Sequence, residues 1–171
     1  ITFTDNGDGT GTLAGTPAPG SVGTYNLTFT AHNGIAPDAT QNFTLTIDGP
    51  PGVSRINSVA DTGDGQVVEN EHTNVSITQL LVVFNKDMNV TDVENESNYR
   101  LALDGSPDIS IDLATYSNAA HTATLNINGG TALPDGRYTL TVSGMIEDTL
   151  GAPIGTDFIR NFYIVPVYGS G

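Results

Sequence analysis

The stretch Val75-Ser76-Ile77-Thr78-Gln79-Leu80-Leu81-Val82-Val83-Phe84 decides how the chain is read. In an extended backbone, successive side chains point to opposite faces. Leu80, Val82 and Phe84 then share one face, and Leu81 and Val83 share the other. Both faces are apolar, which predicts a central strand over residues 75–84.

Outward from this strand, period-two alternation runs through most of the chain. Downstream, strands are predicted at residues 99–103, 109–116, 122–127, 137–143 and 158–164. The turns between them carry Asp104-Gly105, Ser117-Asn118, Asn128-Gly129-Gly130 and Pro134-Asp135-Gly136, residue types that favour tight reversals. Upstream, Ile56 and Val59 mark a first strand, and residues 61–74 read as a polar, acidic loop. Residues 85–97 are polar around Met88, which reads as a plug, and a helical turn is expected at 91–96 with Thr91 as its cap. About seven short strands with turn signals every ~8–12 residues form the pattern of an immunoglobulin-like (Ig-like) Greek-key β-sandwich. Its expected core is Leu80, Val82, Phe84, Leu101, Leu125, Ile127, Tyr138, Leu140, Val142, Phe162 and Ile164.

The first fifty residues alternate too. Tyr25, Leu27, Phe29 and Ala31 interleave with Asn26, Thr28 and Thr30, and Phe43, Leu45 and Ile47 with Thr44 and Thr46. Each reads as a strand with one buried face. Residues 1–4 and 10–14 form a hairpin around Asp5-Asn6-Gly7-Asp8-Gly9. Asp48-Gly49-Pro50-Pro51-Gly52 then interrupts the pattern, because consecutive prolines remove two backbone donors and stiffen the chain. The organisation read from this is a partial module at 1–49, a Pro/Gly linker at 50–52, a complete sandwich at 53–165 and a tail or linker at 166–171. The fold class is all-β.

Composition narrows the function. Nineteen acidic residues against five basic ones give a net charge of -14, a surface that repels phosphate backbones and anionic membranes. Nucleic acid is not expected as a partner, and no apolar run is long enough for membrane insertion. Absence of cysteine excludes disulfides and thiolate chemistry, so stability must come from the core. The chain opens on Ile1 already in strand pattern, with no signal peptide, and reads as an internal piece of a longer protein.

Three segments of the second module carry a family resemblance. Val82-Val83-Phe84-Asn85-Lys86-Asp87-Met88, Leu133-Pro134-Asp135-Gly136-Arg137-Tyr138-Thr139-Leu140 and Ile146-Glu147-Asp148-Thr149-Leu150-Gly151-Ala152-Pro153-Ile154 resemble, in order and spacing, segments of bacterial Ig-like domains of the S-layer-protein (SbsA-like) type. The acidic insert at 61–74 departs from that pattern. Gly11-Thr12-Leu13-Ala14-Gly15-Thr16-Pro17 and Gly23-Thr24-Tyr25-Asn26-Leu27-Thr28-Phe29-Thr30-Ala31 resemble the C-terminal half of cadherin-like Ig repeats of bacterial surface proteins. The resemblance implies spacer, stalk or adhesion roles, or an accessory role beside an extracellular enzyme. It brings no catalytic residues with it.

The physics of individual residues gives structural roles. Tyr138 can close one end of a sandwich while its hydroxyl bonds a loop backbone, as in a tyrosine corner. Asp148 can accept backbone N–H groups, and Gly151 can take a left-handed turn. His32, His72 and His121 are scattered, without zinc-ligand spacing. Neither Asp5–Gly9 nor Asp61–Gly65 has the third- and fifth-position oxygens of an EF-hand loop. If a metal binds, the expected ligands are Asp61, Asp64, Glu69 and Glu71, which concentrate four carboxylates, and Ca²⁺ is the fitting ion. Paired carboxylates in a glycosidase need a cleft, and without tryptophan a sugar platform is poorly supplied.

Two functional readings stand open. One is a non-catalytic structural or adhesive module of a bacterial secreted or cell-surface protein. The other is an accessory module binding carbohydrate, or adhering through Ca²⁺, appended to an enzyme. The expected partners are neighbouring domains of the parent chain and, through open strand edges of the partial module, another copy of the same chain.

Overall fold

The computed structural model describes residues 1–59 and 64–166. Internal contacts divide the chain between Gly49 and Pro50 into two compact units.

The first unit holds four strands: β1 (Thr2–Asp5), β2 (Gly11–Ala14), β3 (Gly23–Ala31) and β4 (Ala39–Ile47). β1 pairs antiparallel with β2, and β3 with β4, in two separate two-stranded sheets. The β3–β4 register runs unbroken from Gly23↔Ile47 to Ala31↔Ala39. In the first hairpin, Asp5 accepts the Gly7 N–H and Asp8 accepts both the N–H and the hydroxyl of Thr10. Gly7 and Gly9 take φ of +75° and +87°, a left-handed geometry that glycine adopts without strain. Phe3, Phe29 and Phe43 form a chain of ring contacts at 5.1 and 6.1 Å. The alternation predicts a buried face here, but no residue of this unit is fully buried. Two hairpins offer too few strands to cover both sides of that aromatic row, so Phe3 and Phe43 stay 52% and 42% exposed.

The second unit is a two-layer sandwich. Its strands are β5 (Val53–Ser58), β6 (Glu71–Thr73), β7 (Gln79–Phe84), β8 (Tyr99–Leu103), β9 (Ile111–Ser117), β10 (Thr122–Ile127), β11 (Gly136–Val142) and β12 (Phe158–Ile164). One sheet has the order β5-β7-β10-β9, the other β6-β12-β11-β8. Every pairing is antiparallel except β6 with β12. β7 lies inside its sheet, as its two apolar faces require. The alternate residues of both layers fill the gap between them, and all eleven expected core residues are buried. Tyr138 and Phe162, on neighbouring strands, stack with ring centroids 5.2 Å apart. Met88 is completely buried, as a plug should be.

Several local readings need correction. The strand expected over 75–84 begins only at Gln79, because the Val75 N–H turns to Thr73 Oγ1 and the Ile77 carbonyl accepts the Leu133 N–H. The first strand ends at Ser58, which leaves Val59 outside it and exposed. The acidic stretch is no simple loop: Val67 is buried, its N–H bonds Ile56, and Glu71–Thr73 form β6. The helical turn is α1 (Val90–Val93), capped by Asn89 rather than Thr91, with a separate 3-10 turn at Glu96–Asn98 capped by Asn95. β9 starts at Ile111, while Ile109 makes only an isolated bridge to Leu101.

The chain enters and leaves this unit at opposite ends. β5 begins opposite Phe84, near Lys86 and Met88, which meet Asp148 of the β11–β12 loop. β12 ends opposite Gly136 and Thr73, at the end where the Leu133 N–H bonds Ile77 just ahead of β7.

Candidate functional site

The acidic insert concentrates carboxylates in the sequence, and the structure shows what Asp64, Glu69 and Glu71 hold. Glu69 takes both polar groups of Asn161 on β12, the backbone N–H at 3.0 Å and the side-chain amide at 2.7 Å. These hydrogen bonds, with Arg160 at 3.9 Å, hold its carboxyl below the ordinary range. Glu71 accepts the Val68 N–H at 2.7 Å, and Asp64 accepts the Gln66 N–H at 2.9 Å. Each carboxylate thus satisfies a different donor. Asp61, the fourth candidate ligand, lies outside the described residues. Among the described residues, no three His, Asp or Glu side chains come close enough together to hold a metal ion.

A second polar cluster sits at the end where β5 enters. Asp148 is buried, and its Oδ1 accepts the N–H groups of Leu150 and Ala152 at 2.9 and 3.0 Å. Its Oδ2 faces Lys86 Nζ at 3.4 Å. The Ala152 and Leu150 N–H groups and the Lys86 ammonium stabilise the charged form and lower its pKa. Gly151, at φ +82°, supplies the left-handed residue that lets this loop close around one carboxylate. Nearby, the Met88 N–H donates to the Tyr116 hydroxyl at 3.1 Å, and burial pushes that phenol's pKa up. The cluster holds a loop closed.

At the opposite end, the Tyr138 hydroxyl donates to the Pro134 carbonyl at 2.6 Å. Burial, helped by Asp135, raises its pKa to about 12. The histidines stay apart: His32 pairs with Asp38, His72 stacks on Tyr163 at 4.2 Å, and His121 pairs with Asp87. The first unit carries a groove of about 750 Å³ lined by Ile1, Phe3, Leu13, Tyr25, Leu27 and Phe29 among others. It is apolar and contains no acid–base pair.

Two family profiles match the chain, one in each unit. The profile described as a bacterial Ig-like domain matches residues 64–162. The chain belongs to this family. A second profile, described as “Putative Ig domain”, matches residues 7–48 in the first unit. Among solved structures, the S-layer protein rSbsC is 22% identical with a TM-score of 0.48, over 69% of this chain and 14% of that one. The N-terminal part of the bacterial S-layer protein SbsC is 21% identical with a TM-score of 0.48, over 69% of this chain and 24% of that one. Domains 1–6 of SbsC give 22% identity and a TM-score of 0.47, over 69% and 14%. The chain thus corresponds to less than a quarter of each of those S-layer chains. No curated protein matches it.

Within this bacterial Ig-like domain, the three segments that carried the resemblance are the β7 strand with its Met88 plug, the Tyr138 corner and the Asp148 loop. The reading of residues missed one member of the first segment. Asn85, directly after β7, accepts the Gly52 N–H through Oδ1 at 3.0 Å and donates through Nδ2 to the Pro50 carbonyl at 3.1 Å. Its backbone N–H also bonds the Gly52 carbonyl at 3.0 Å. Pro-Pro-Gly in the sequence signalled a break in the chain, but nothing local signalled that a residue 33 positions away ties it down.

Proposed function

We propose that this chain is a non-catalytic structural segment of a bacterial cell-surface or secreted protein, in which the Ig-like sandwich acts as a spacer that keeps its neighbours apart. One observation carries the reading: the chain enters the sandwich at one end and leaves it at the other. Modules with this connectivity extend a chain rather than fold it back. The polar clusters support it, since Glu69 and Asp148 hold backbone N–H groups of the fold itself. The family match supports a bacterial origin, and among the described residues no helix is long and apolar enough to cross a membrane.

For contacts, the same reading points to neighbouring domains of the parent chain and to a second copy meeting the first unit. β4 offers a nine-residue edge without a charge, a proline or a bulge, the kind of edge that accepts another strand. Sedimentation velocity over a concentration series tests this contact. Association that Thr44→Lys abolishes supports it, and a monomer at every concentration excludes it.

The spacer reading is tested by stretching single chains by their termini. The sandwich is expected to resist and then yield in one discrete step. That step should lengthen the chain by roughly 350–400 Å, from about 3.6 Å per residue over the sandwich. Gradual extension without such a step would overturn the reading.

A further inference from the structure

The Pro50–Gly52 segment has few groups with which to hold itself in place. Its two prolines lack N–H groups, so Gly52 has the only backbone donor in the segment. That donor goes to Asn85 Oδ1, the Gly52 carbonyl goes to the Asn85 N–H, and the Pro50 carbonyl goes to Asn85 Nδ2. Pro51, between them, is buried. A carboxamide suits this position because it offers an acceptor and a donor on one short side chain. Aspartate would lack the donor, and serine would lack the second heavy atom.

The place of Asn85 in the fold gives the arrangement its consequence. β5 is an edge strand whose ladder to β7 is irregular at its start, between Val53 and Arg55. β7 is an interior strand, and its last residue, Phe84, is held on the far side by the His121 carbonyl at 2.8 Å. Asn85 follows Phe84 directly. We propose that Asn85 is a mechanical strap: it fastens Pro50–Gly52 to the end of β7, so that tension arriving from the N-terminal side enters the interior strand instead of peeling β5 away at its irregular start. The strap makes the proline segment an extension of the sandwich. Its mechanical role rests on the spacer reading above, while the fastening itself does not.

The test uses the whole chain, held by its ends at constant force, with amide exchange measured separately in its absence. Asn85→Ala should shorten the lifetime of the sandwich under force by roughly tenfold or more, as expected for losing two aligned hydrogen bonds. It should also speed exchange of the Gly52 amide by about tenfold or more. Asn85→Asp keeps the acceptor and loses the donor, so it should fall between wild type and Asn85→Ala, and it serves if the alanine variant does not fold. A wild-type chain that yields in a discrete step, with Asn85 variants of equal lifetime, overturns the strap and leaves the spacer reading intact. A wild-type chain without a discrete step overturns the spacer reading. Gly52 exchange then decides the fastening alone, and unchanged exchange in both variants refutes it.

Discussion

Asp148 shows how one residue can look like chemistry and serve as architecture. A buried carboxylate beside a lysine could be a reactive pair, yet both of its oxygens are occupied: Oδ1 by two backbone N–H groups and Oδ2 by Lys86. Asp148→Ala should therefore cost about 2–3 kcal/mol, because it strands the Leu150 and Ala152 donors and leaves Lys86 half-enclosed without this partner. Urea denaturation gives the value, and a loss under about 0.5 kcal/mol would contradict the assignment. The pH dependence has a definite sign. Folding lowers the Asp148 pKa below its unfolded value of about 3.9, so the unfolded chain takes up the proton first as pH falls. The contribution is complete above that value and is lost as pH drops through the lower, folded one. Melting temperatures measured from pH 6 to pH 2 should fall more steeply for wild type than for Asp148→Ala.

At the level of elements, interior strands and edges behave differently, both in energy and in how openly the sequence displays them. Leu80 on β7 is fully buried, so Leu80→Ala should cost about 3 kcal/mol through lost burial and the cavity left behind, measurable as a lower urea midpoint with an unchanged slope. The same burial is why β7, β10 and β11 were legible, since each places apolar side chains at every second position against a covered face, and why β12 was, with Phe158, Phe162 and Ile164 on one face and only Arg160 interrupting them. β6 was not legible, because Glu71-His72-Thr73 has no apolar alternation and becomes a strand only through parallel pairing with β12. The helix cap was misread for a local reason, since Asn89 and Thr91 are both good caps and only the fold shows that Asn89 Oδ1 meets the Thr91 N–H. The acidic insert was legible as a cluster of carboxylates but not in its purpose, because Glu69 finds its donors 92 residues away on β12. Its role is therefore stabilising: Glu69→Ala should cost about 1 kcal/mol by leaving the Asn161 N–H and side-chain amide without this acceptor, and by the same amount with and without millimolar Ca²⁺. Thermal melts of both proteins in Ca²⁺ and in chelator check this. A penalty present only in Ca²⁺ would return Glu69 to the role of a ligand.

Across the whole molecule, the two units differ in the quantity that sets cooperativity. The sandwich has a continuous core running from Ile56 to Ile164, with more than half of its members inaccessible to solvent. The first unit has 49 residues, no disulfide and no fully buried side chain. Chains of that size bury too small a fraction of their surface to be more than marginally stable without further support. The two units should therefore melt separately. Scanning calorimetry of the whole chain should show a sharp upper transition from the sandwich and a weaker, broader one at lower temperature from the first unit. Leu80→Ala should shift the upper transition and leave the lower one in place, while Phe29→Ala, which breaks the Phe3–Phe29–Phe43 row, should erase or lower only the lower one. A single transition moved by both substitutions would mean that the units fold as one cooperative body.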